Sequence, residues 1–464
     1  MNSVLLVVFD GLRPDMVGPL TTPHLVRFAA MGACFTQARS VFPSETRVCT
    51  ASVTTGCLPR RHGLIANRFA HPGDIRRTVD TASMAALRAM QDDLGTDLLD
   101  VPSLGDRLAL AEQDFAVFSS GSTGQSYVLN PRAAVNRQMT VSAHGAEACS
   151  PAGRALLASV APPPAAAIPR AVWTAELFRT RILPNPPAAS VLWLCEPDTS
   201  AHYDGLGSAA QMAALAEMDA AFGRILDDWE AGPQRETLQI IVASDHGHTT
   251  VRGHIDVGCA MAEAPEFADC TLVSGTSGGI WVPGGDRTRV AGLAEFLCQQ
   301  DWVGNVFAED GPPGVLPLAA VLADHPRGAP LLFSLRGDGG IAANGLAGCT
   351  LYDGTLGVGA GTHGGLGAAE LHTVLMLAGS AIARGQSEWP AGLPDIAPTI
   401  LHLLGVNGGP AMDGRVLAEA LLGGAAPLAM PALESWEAAY GDYAQQLRRT
   451  RLGGQIYLNA GIRA

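Results

Sequence analysis

Three apolar runs that each end in an aspartate constrain the fold of this chain more than any other feature of its sequence. They read VLLVVFDG, SVLWLCEPDTSAH and LQIIVASDHGH, and they carry Asp10, Asp198 and Asp245. Continuous apolar runs are typical of strands buried on both faces, as in a parallel sheet covered by helices. Ligands bind an open parallel sheet at the carboxyl edge of its strands. The sequence therefore predicts that three carboxylates meet at one such edge.

Strand-like and helix-like segments alternate through most of the chain, which favours an α/β protein with a central, mainly parallel β-sheet flanked by helices. The pattern predicts strands at 4–9, 115–118, 190–195, 238–243 and 373–377. It predicts helices at 23–31, 103–112 with Ser103 as the N-cap, 173–182, 208–229 and 395–404. We expect residues 1–464 to form one catalytic domain.

Two stretches break this alternation, at approximately 68–170 and 251–355. They are rich in short, Gly- and Pro-interrupted segments, and we expect them to be insertions that build a cap over the sheet. The tail after Pro431 is predicted to form one amphipathic helix at 433–449, followed by a short extended end.

Charge and residue usage exclude several classes of function. The chain has 30 Lys+Arg and 44 Asp+Glu, and a net charge of −14 gives no electrostatic footprint for a nucleic-acid polymer. All basic residues are arginine, which excludes a Schiff-base or P-loop lysine. The 9 cysteines are scattered without a CxxC pair, which favours a reducing compartment. With no signal-peptide or membrane-length apolar run, we expect a cytoplasmic protein with a small-molecule substrate and no membrane partner, and the oligomeric state stays open.

Histidines accompany the strand-ending aspartates. His246 directly follows Asp245, His202 lies four residues after Asp198, and His363 lies in the loop GVGAGTHGGLG. A single aspartate after a strand is more often a helix cap or a turn residue. Several carboxylates and imidazoles that converge on one edge are instead the ligand set of two divalent cations of the zinc or manganese kind.

The segment FPSETRVCTASVTTGCLPRRHGLIAN offers Thr46 as a nucleophile for such a centre. A free hydroxyl is a poor nucleophile at neutral pH, but metal coordination lowers the pKa of a bound oxygen. The alternative interpretation is that Thr46 only begins a helix. The two interpretations are compatible, because a helix N-terminus directs backbone N–H groups towards an anion.

Taken together, these motifs resemble the nucleotide pyrophosphatase/phosphodiesterase branch of the alkaline phosphatase superfamily. The resemblance covers residues 4–67, 190–205, 238–248 and about 359–416. It implies an alkaline-phosphatase-like fold and a metal-dependent hydrolase that cleaves phosphodiester or pyrophosphate bonds of a small, nucleotide-like molecule. It also implies that Thr46 attacks phosphorus and forms a phosphothreonine, which water then hydrolyses.

The resemblance also distributes the ligands between two metal ions, with Zn²⁺ expected and Mn²⁺ as the alternative. The first ion is expected to be held by Asp10, Thr46, Asp245 and His246. The second is expected to be held by Asp198, His202 and His363.

One position departs from the family pattern. The third residue after the nucleophile is usually an asparagine whose amide donates to a phosphoryl oxygen, and here it is Cys49. A thiol is a weak donor, and loss of a comparable transition-state donor lowers the rate by about 10²–10³. The phosphate contact is therefore left to Cys49 itself, to Arg47 or to Asn67. The other interpretation of Cys49 is a small buried residue on a helix.

Other reactions stay open at this point. Phosphonoacetate hydrolases of the same superfamily also use a threonine and two zinc ions, but they grip the substrate carboxylate with lysines, which this chain lacks. The related cofactor-independent phosphoglycerate mutases use a serine and a much larger inserted domain. The pattern GTSGG at 275–279 fits the GxSxG elbow of serine esterases, although IWVPG after it indicates a strand rather than the required helix. A non-catalytic binding protein would be expected to lack some of the seven ligands, and all are present.

Overall fold

The computed structural model describes residues 2–309, 313–408 and 411–464. Within these residues the β-strands are β1 (Ser3–Phe9), β2 (Ala33–Phe35), β3 (Ala38–Arg39), β4 (Arg68–His71), β5 (Asp74–Asp80), β6 (Phe115–Ser119), β7 (Met139–Ser142), β8 (Ala189–Leu194), β9 (Leu238–Ala243), β10 (Thr249–His254), β11 (Thr271–Ser274), β12 (Ser277–Trp281), β13 (Val303–Ala308), β14 (Leu331–Leu335), β15 (Gly337–Ile341), β16 (Ala347–Tyr352), β17 (Gly361–Thr362), β18 (Leu375–Ala378), β19 (Gly385–Ser387), β20 (Ala391–Gly392), β21 (Ala432–Tyr440), β22 (Tyr443–Leu452) and β23 (Gln455–Arg463).

The α-helices of the same residues are α1 (Pro23–Met31), α2 (Thr46–Thr55), α3 (Pro59–His62), α4 (Met84–Leu94), α5 (Leu104–Leu110), α6 (Thr123–Leu129), α7 (Pro151–Leu157), α8 (Ala167–Arg181), α9 (Asp198–Asp204), α10 (Ala209–Ala231), α11 (Val257–Met261), α12 (Arg287–Cys298), α13 (Ala368–Leu371) and α14 (Ile396–Leu403). None of these helices has both the length and the apolarity needed to cross a membrane.

The apolar runs form neighbouring strands of an eight-stranded sheet in the order β19-β2-β18-β9-β1-β8-β6-β7. Neighbouring strands are parallel except in the two pairs that involve β18. Every residue of β1, β8 and β9 is buried. The predicted mainly parallel sheet is therefore confirmed.

Helices cover both faces of this sheet. Successive side chains of a strand point to opposite faces, so Leu5, Val7 and Phe9 pack in one core with residues of α1, α8 and α10. Val4, Leu6 and Val8 pack in a second core with residues of α2, α5 and α14. Apart from the C-terminal helix at 433–449, the predicted strands and helices are present at these positions, with bounds that differ by a few residues. Ser103 caps α5 as predicted, since its hydroxyl accepts the amide of Asp106 at 3.2 Å.

The reversed direction of β18 matters for the position of the glycine-rich loop. Because β18 is antiparallel to β9, its first residue lies at the carboxyl edge of β1, β8 and β9. The chain that leads into β18 therefore reaches the edge at which the three aspartates lie, and His363 is carried there by strand β17 and the loop after it.

The helix predicted at 433–449 is wrong. β21, β22 and β23 form an antiparallel three-stranded sheet joined by tight turns, in which Gly441 and Gly453 have positive φ angles of 57° and 59°. In β22 the buried side chains alternate from Tyr443 to Arg449, the period of a strand, and Leu447 is fully buried. The Gly-Asp turn at 441–442 interrupts the segment that the helical interpretation required to be continuous.

The two predicted insertions contribute to several sheets. In the first, β4, β5 and α4 lie outside the large sheet, whereas β6 and β7 are its last two strands on one side, with β7 at the edge. In the second, β11-β12-β14-β13 form a separate sheet, and β15-β16-β10-β17 form another. Residues 310–312 of this insertion lie outside the described residues. A cap at 68–170 and 251–355 over a single domain at 1–464 stays a prediction.

Candidate active site

The three strand-ending aspartates come together at one edge of the large sheet. Asp10 follows β1, Asp198 begins α9 after β8, and Asp245 lies just beyond β9. The amide of Asp198 donates to the carbonyl of Asp10 at 3.1 Å. The amide of Gly11 donates to Oδ1 of Asp245 at 3.0 Å. These bonds tie three distant segments to one another at the edge where ligands of such sheets bind.

The first cluster consists of Asp10, Asp245 and His246, whose ligand atoms all lie within 4.8 Å of one another. Nε2 of His246 lies 3.4 Å from Oδ1 of Asp10 and 3.4 Å from Oδ2 of Asp245. Both of these carboxylate oxygens are buried and have no hydrogen-bond partner. A buried carboxylate oxygen without a partner is strongly unfavourable. The donor set and its unsatisfied oxygens therefore fit a divalent cation.

The other oxygen of each carboxylate is held in place by the protein. Oδ2 of Asp10 accepts the indole N–H of Trp193 at 2.8 Å and the side-chain amide of Gln125 at 3.4 Å. Oδ1 of Asp245 accepts the backbone amides of Gly11 and His246, both at 3.0 Å. Each carboxylate is thus oriented with one oxygen fixed and the other facing the cluster, as is usual around metal ligands.

The second cluster contains the predicted side chains of Asp198, His202 and His363 and adds His248, with ligand atoms again within 4.8 Å. Oδ1 of Asp198 lies 3.1 Å from Nε2 of His248, 3.2 Å from Nε2 of His202 and 3.5 Å from Nε2 of His363. His246 belongs to the first cluster and His248 to the second, so both histidines of the motif ASDHGH lie in the site.

His248 was not among the predicted ligands. It is fully buried, and Gly11, which has a φ of +69°, makes room for it, since a Cβ there would lie 2.2 Å from its Cε1. The signal in the sequence was the His-Gly-His spacing itself, because two residues separated by one can face the same side of an extended segment.

All four histidines are held in the same tautomer. In each, Nδ1 donates to a backbone carbonyl, and the pairs are His202 with Gly361 at 2.7 Å, His246 with Gly247 at 3.0 Å, His248 with Gly11 at 2.9 Å and His363 with Ser44 at 2.8 Å. A carbonyl oxygen can only accept, so Nδ1 carries a proton, and in the neutral imidazole Nε2 is the nitrogen with the lone pair. The four Nε2 atoms face the carboxylates, which is the orientation of metal-binding imidazoles.

The pKa values show how strongly charge is concentrated here. Burial alone would raise the pKa of Asp198, but the imidazoles of His202, His248 and His363 hold it well below its usual value. Burial and the charge of Asp10 raise the pKa of Asp245 well above its usual value. Burial favours neutral His246, yet Asp245 and Asp10 raise its pKa to about 10. The three carboxylates carry more negative charge than the neighbouring imidazoles balance. Bound cations would supply the additional positive charge.

Thr46 lies beside the first cluster. It is the first residue of α2, as predicted, and is buried. Its Oγ1 lies 3.3 Å from Nε2 of His246. The hydroxyl therefore adjoins the same open face of the cluster as the two unsatisfied carboxylate oxygens.

Cys49 lies beneath the site. Its side chain is fully buried, and its sulfur lies 3.2 Å from Oγ of Ser40, which donates to the carbonyl of Asp245 at 2.6 Å. Burial and the charges of Asp245 and Asp10 raise the pKa of this thiol well above its usual value. Cys49 is thus a neutral thiol that packs against the loop of Asp245.

Arg47 and Asn67 lie together at the first turn of α2. The backbone amide of Arg47 donates to Oδ1 of Asn67 at 3.1 Å, and its Nε lies 3.4 Å from Oγ1 of Thr81. Nδ2 of Asn67 makes no hydrogen bond to any described residue. Nor does the guanidinium of Arg47 form an ion pair within the described part of the chain. Both side chains therefore keep N–H donors that no carboxylate or carbonyl of those residues takes up.

The esterase interpretation does not fit the structure. The residues 275–279 form the turn and first part of the antiparallel β11–β12 hairpin. A nucleophile elbow requires a helix directly after the serine, and here Ser277 begins strand β12. Its hydroxyl donates to the carbonyl of Gly364 at 2.6 Å. Ser277 therefore supports the loop after His363.

Comparison with known proteins agrees with the family resemblance of the sequence motifs. Residues 4–291 match the model of the family described as type I phosphodiesterase / nucleotide pyrophosphatase. Bis(5'-adenosyl)-triphosphatase ENPP4 of Bos taurus is 37% identical over 65 residues, which are 14% of this chain and 14% of that protein. Human ectonucleotide pyrophosphatase/phosphodiesterase family member 5 is 34% identical over 71 residues, 15% of each chain. The matched stretches thus span only a small part of these relatives.

Solved structures resemble the chain over most of its length. Murine ectonucleotide pyrophosphatase/phosphodiesterase 5 has a TM-score of 0.65 at 18% identity, covering 90% of this chain and 100% of that one. Its human counterpart has a TM-score of 0.65 at 19% identity, covering 90% and 99%. An inactive threonine-to-alanine variant of the murine protein in complex with AMP has a TM-score of 0.62 at 19% identity, covering 88% and 96%. At such identities the likeness shows the fold, and it confirms the predicted alkaline-phosphatase-like architecture.

Proposed function

The chain belongs to the type I phosphodiesterase / nucleotide pyrophosphatase family, and on that premise we propose that it hydrolyses phosphodiester or pyrophosphate bonds of a small, nucleotide-like molecule with Thr46 as the nucleophile. One observation carries this proposal: two clusters of carboxylates and inward-facing Nε2 atoms lie beside the hydroxyl of Thr46. The complex of the murine protein with AMP supports a nucleotide-like ligand.

The two clusters are proposed to hold two divalent cations. Asp10, Asp245 and His246 would hold the first together with Thr46, and Asp198, His202, His248 and His363 would hold the second. Mixed carboxylate and imidazole ligands suit Zn²⁺, which we propose as the metal, with Mn²⁺ as the alternative. When bound, such cations supply positive charge to the phosphoryl oxygens and lower the pKa of a coordinated hydroxyl.

The protein's own residues then account for the chemistry. Thr46 sits at the N-terminus of α2, where the backbone N–H groups and the helix dipole favour an anion. The Thr46 hydroxyl gives up its proton, and its Oγ1 forms the new bond to phosphorus while the bond to the leaving group breaks. The leaving group departs as the anion or takes up a proton, and a phosphothreonine remains. Water then attacks phosphorus, the bond to Oγ1 breaks, and the Thr46 hydroxyl is restored.

Asn67 is proposed as the donor to the phosphate under attack, in place of the asparagine that Cys49 replaces, and Arg47 as the donor to a further anionic group of the substrate. Nδ2 of Asn67 is available because its Oδ1 is already bonded to the amide of Arg47. The guanidinium of Arg47 follows the nucleophile directly and can recognise a further negative charge of the substrate. Cys49 is not proposed as a contact, because its sulfur faces Ser40.

A comparison of hydrolysis rates tests this function. The chain, supplied with Zn²⁺ or Mn²⁺, is assayed with bis(p-nitrophenyl) phosphate, p-nitrophenyl phosphate and phosphonoacetate. We expect faster hydrolysis of the diester than of the monoester. Turnover of phosphonoacetate alone would assign the site to cleavage of a C–P bond instead, and no turnover of any of the three would refute the proposal. The cytoplasmic location stays a prediction from the sequence.

A further inference from the structure

Glu45, the residue before Thr46, stands at the N-cap of α2 but does not cap it. Its side chain accepts no hydrogen bond from the first turn of the helix, the usual role of a polar residue at this position. It also forms no ion pair with a described residue. Its Oε2 instead accepts the backbone amide of Asn67, 22 residues further along the chain. The carboxylate thus links the start of the nucleophile helix to another segment.

Every polar group of Asn67 except its side-chain Nδ2 forms a hydrogen bond with a described residue. Its amide is bound by Glu45, and its carbonyl accepts the backbone amide of Thr81 at 3.0 Å and the hydroxyl of Thr81 at 2.7 Å. Its Oδ1 accepts the amide of Arg47 at 3.1 Å. Nδ2 is the one group that no described residue engages. An amide held in this way presents a donor in a defined direction.

The stem of Glu45 lies close to the loop that carries His363. A Cβ at Gly364, where φ is +109°, would lie 3.2 Å from Cγ of Glu45. The loop is itself fixed, because the amide of Gly364 donates to Oγ of Ser44 at 3.0 Å and its carbonyl accepts the hydroxyl of Ser277 at 2.6 Å. Glu45 therefore lies close both to the loop that follows His363 and to Asn67, and a side chain larger than hydrogen at Gly364 would crowd it.

We propose that Glu45 is a positioning residue that places the Nδ2 donor of Asn67 against the phosphoryl group beside Thr46. This inference rests on the proposed function, since it assumes that a phosphate occupies the site. In this role Glu45 acts through Asn67 and not by contact with the substrate. The reach of the side chain sets the position of the Asn67 backbone, and a displacement of a catalytic group by about 1 Å can lower a rate by about 10².

A double-mutant cycle separates positioning from a general structural role. The variants are Glu45→Ala, Asn67→Ala and the two combined, assayed for kcat/KM on bis(p-nitrophenyl) phosphate. We expect Glu45→Ala to lower kcat/KM by about 10–10² through misplacement of Asn67. In the Asn67→Ala background the same change should lower it by no more than about threefold, because the group that Glu45 positions is already absent. An equal loss in both backgrounds overturns the inference.

Two further variants distinguish the reach of the side chain from its charge. Glu45→Gln keeps an oxygen at the same distance and should retain most of the activity. Glu45→Asp keeps the charge but is one methylene shorter, so it should lose activity as Glu45→Ala does, and it replaces that variant in the cycle should Glu45→Ala fail to fold. Full activity of Glu45→Asp, or no rescue by Glu45→Gln, contradicts the inference.

Binding of inorganic phosphate gives a readout that does not depend on turnover. The dissociation constant is measured by calorimetry on the metal-loaded chain for each member of the cycle. The same non-additive pattern is expected there. If wild-type chain binds phosphate but hydrolyses none of the substrates, the proposed function is refuted. The role of Glu45 is then decided by the phosphate dissociation constants of the double-mutant cycle. Wild-type chain that does not bind phosphate refutes the role of Glu45 as well.

Discussion

Oγ1 of Thr46 lies 3.3 Å from Nε2 of His246. Because Nδ1 of His246 donates to the carbonyl of Gly247, Nε2 is the nitrogen whose lone pair a cation would take from the neutral imidazole, and it lies on the side of the hydroxyl. The same nitrogen faces the two unsatisfied oxygens of Asp10 and Asp245. One cation that satisfies these three side chains would therefore also lie next to the Thr46 hydroxyl, which would connect metal binding to the proposed nucleophile.

Replacement of Thr46 by alanine is expected to abolish turnover. Loss of a nucleophile lowers kcat by several powers of ten, and we expect a loss of at least ~10³, while metal content stays near two ions per chain because the other ligands remain. Steady-state kinetics and elemental analysis check both. Thr55→Ala is the matched control, since Thr55 ends the same helix and its hydroxyl donates to Ala51. Normal activity of Thr46→Ala would remove this residue from the mechanism.

Replacement of His248 or His363 by alanine is expected to lower the metal content of the chain, because each removes one Nε2 that faces Asp198. Loss of one ligand typically weakens metal binding far more than loss of an outer partner, which itself costs about 10–10² in affinity. Equilibrium dialysis with Zn²⁺ measures the effect, with His144→Ala as the control at an exposed histidine. Full stoichiometry in both variants would show that this ligand set is wrong.

Chelation is expected to inactivate the chain and to lower its melting temperature. The metal-free state leaves Oδ1 of Asp10 and Oδ2 of Asp245 without partners, and a ligand present at 100 times its dissociation constant stabilises a protein by about 2.7 kcal/mol. Differential scanning calorimetry with and without EDTA measures the difference. Asp245→Ala should have lower metal content and a smaller response to EDTA. A wild-type melting temperature that EDTA does not change would contradict the prediction.

Arg47→Gln is expected to act selectively on substrates with an additional negative charge. The guanidinium forms no ion pair with a described residue, and a charge-assisted contact contributes about 1.5–3 kcal/mol, which corresponds to about 10–10² in kcat/KM. Rates with ATP should fall by this factor, whereas rates with bis(p-nitrophenyl) phosphate should change little. An equal loss with both substrates would mean that Arg47 does not recognise a second anionic group.

His62 is expected to make the stability of the chain depend on pH. Burial, with the neighbouring His325 and Arg327, lowers its pKa from 6.5 to about 3. Between these values the unfolded chain binds the proton and the folded chain does not, so the stability contributed by neutral His62 is present above pH 6.5 and is lost as pH falls. The slope is up to about 1.4 kcal/mol per pH unit.

Chemical denaturation of wild type and His62→Gln between pH 7 and pH 5 measures this slope. The Gln variant should have a flatter dependence of its unfolding free energy on pH, whereas the control His144→Gln should follow wild type. Identical slopes for wild type and His62→Gln would show that His62 takes up its proton in the folded chain.

The sequence predicted the elements that build the site because its strongest signals are local. Val4–Phe9 and 238–243 are buried on both faces of the sheet, so their apolar runs are continuous, and α1 begins at Pro23 and is followed by Gly32, which are ordinary helix boundaries. Six of the seven predicted metal ligands lie in two clusters of potential ligands, and the seventh, Thr46, lies beside the first cluster. Their binding of metal stays a prediction.

Two features escaped sequence analysis for physical reasons. His248 joins the second cluster only because Gly11, more than two hundred residues earlier, leaves space for its ring, and no local pattern encodes such a contact. The segment 433–449 contains many helix-forming residues and therefore favours a helix in the sequence, although it forms strands in the structure. Their pairing with β23 and the burial of Leu447 against Phe307 and Leu458 outweigh that propensity.

The central claim is that two divalent cations bind beside Thr46, and anomalous diffraction at the zinc edge tests it most directly. Crystals of the zinc-loaded chain should show two strong peaks, one among Asp10, Asp245 and His246 and the other among Asp198, His202, His248 and His363, with zinc–nitrogen distances of about 2.0–2.1 Å. Crystals that hold zinc elsewhere, with no peak at either cluster, would contradict the account.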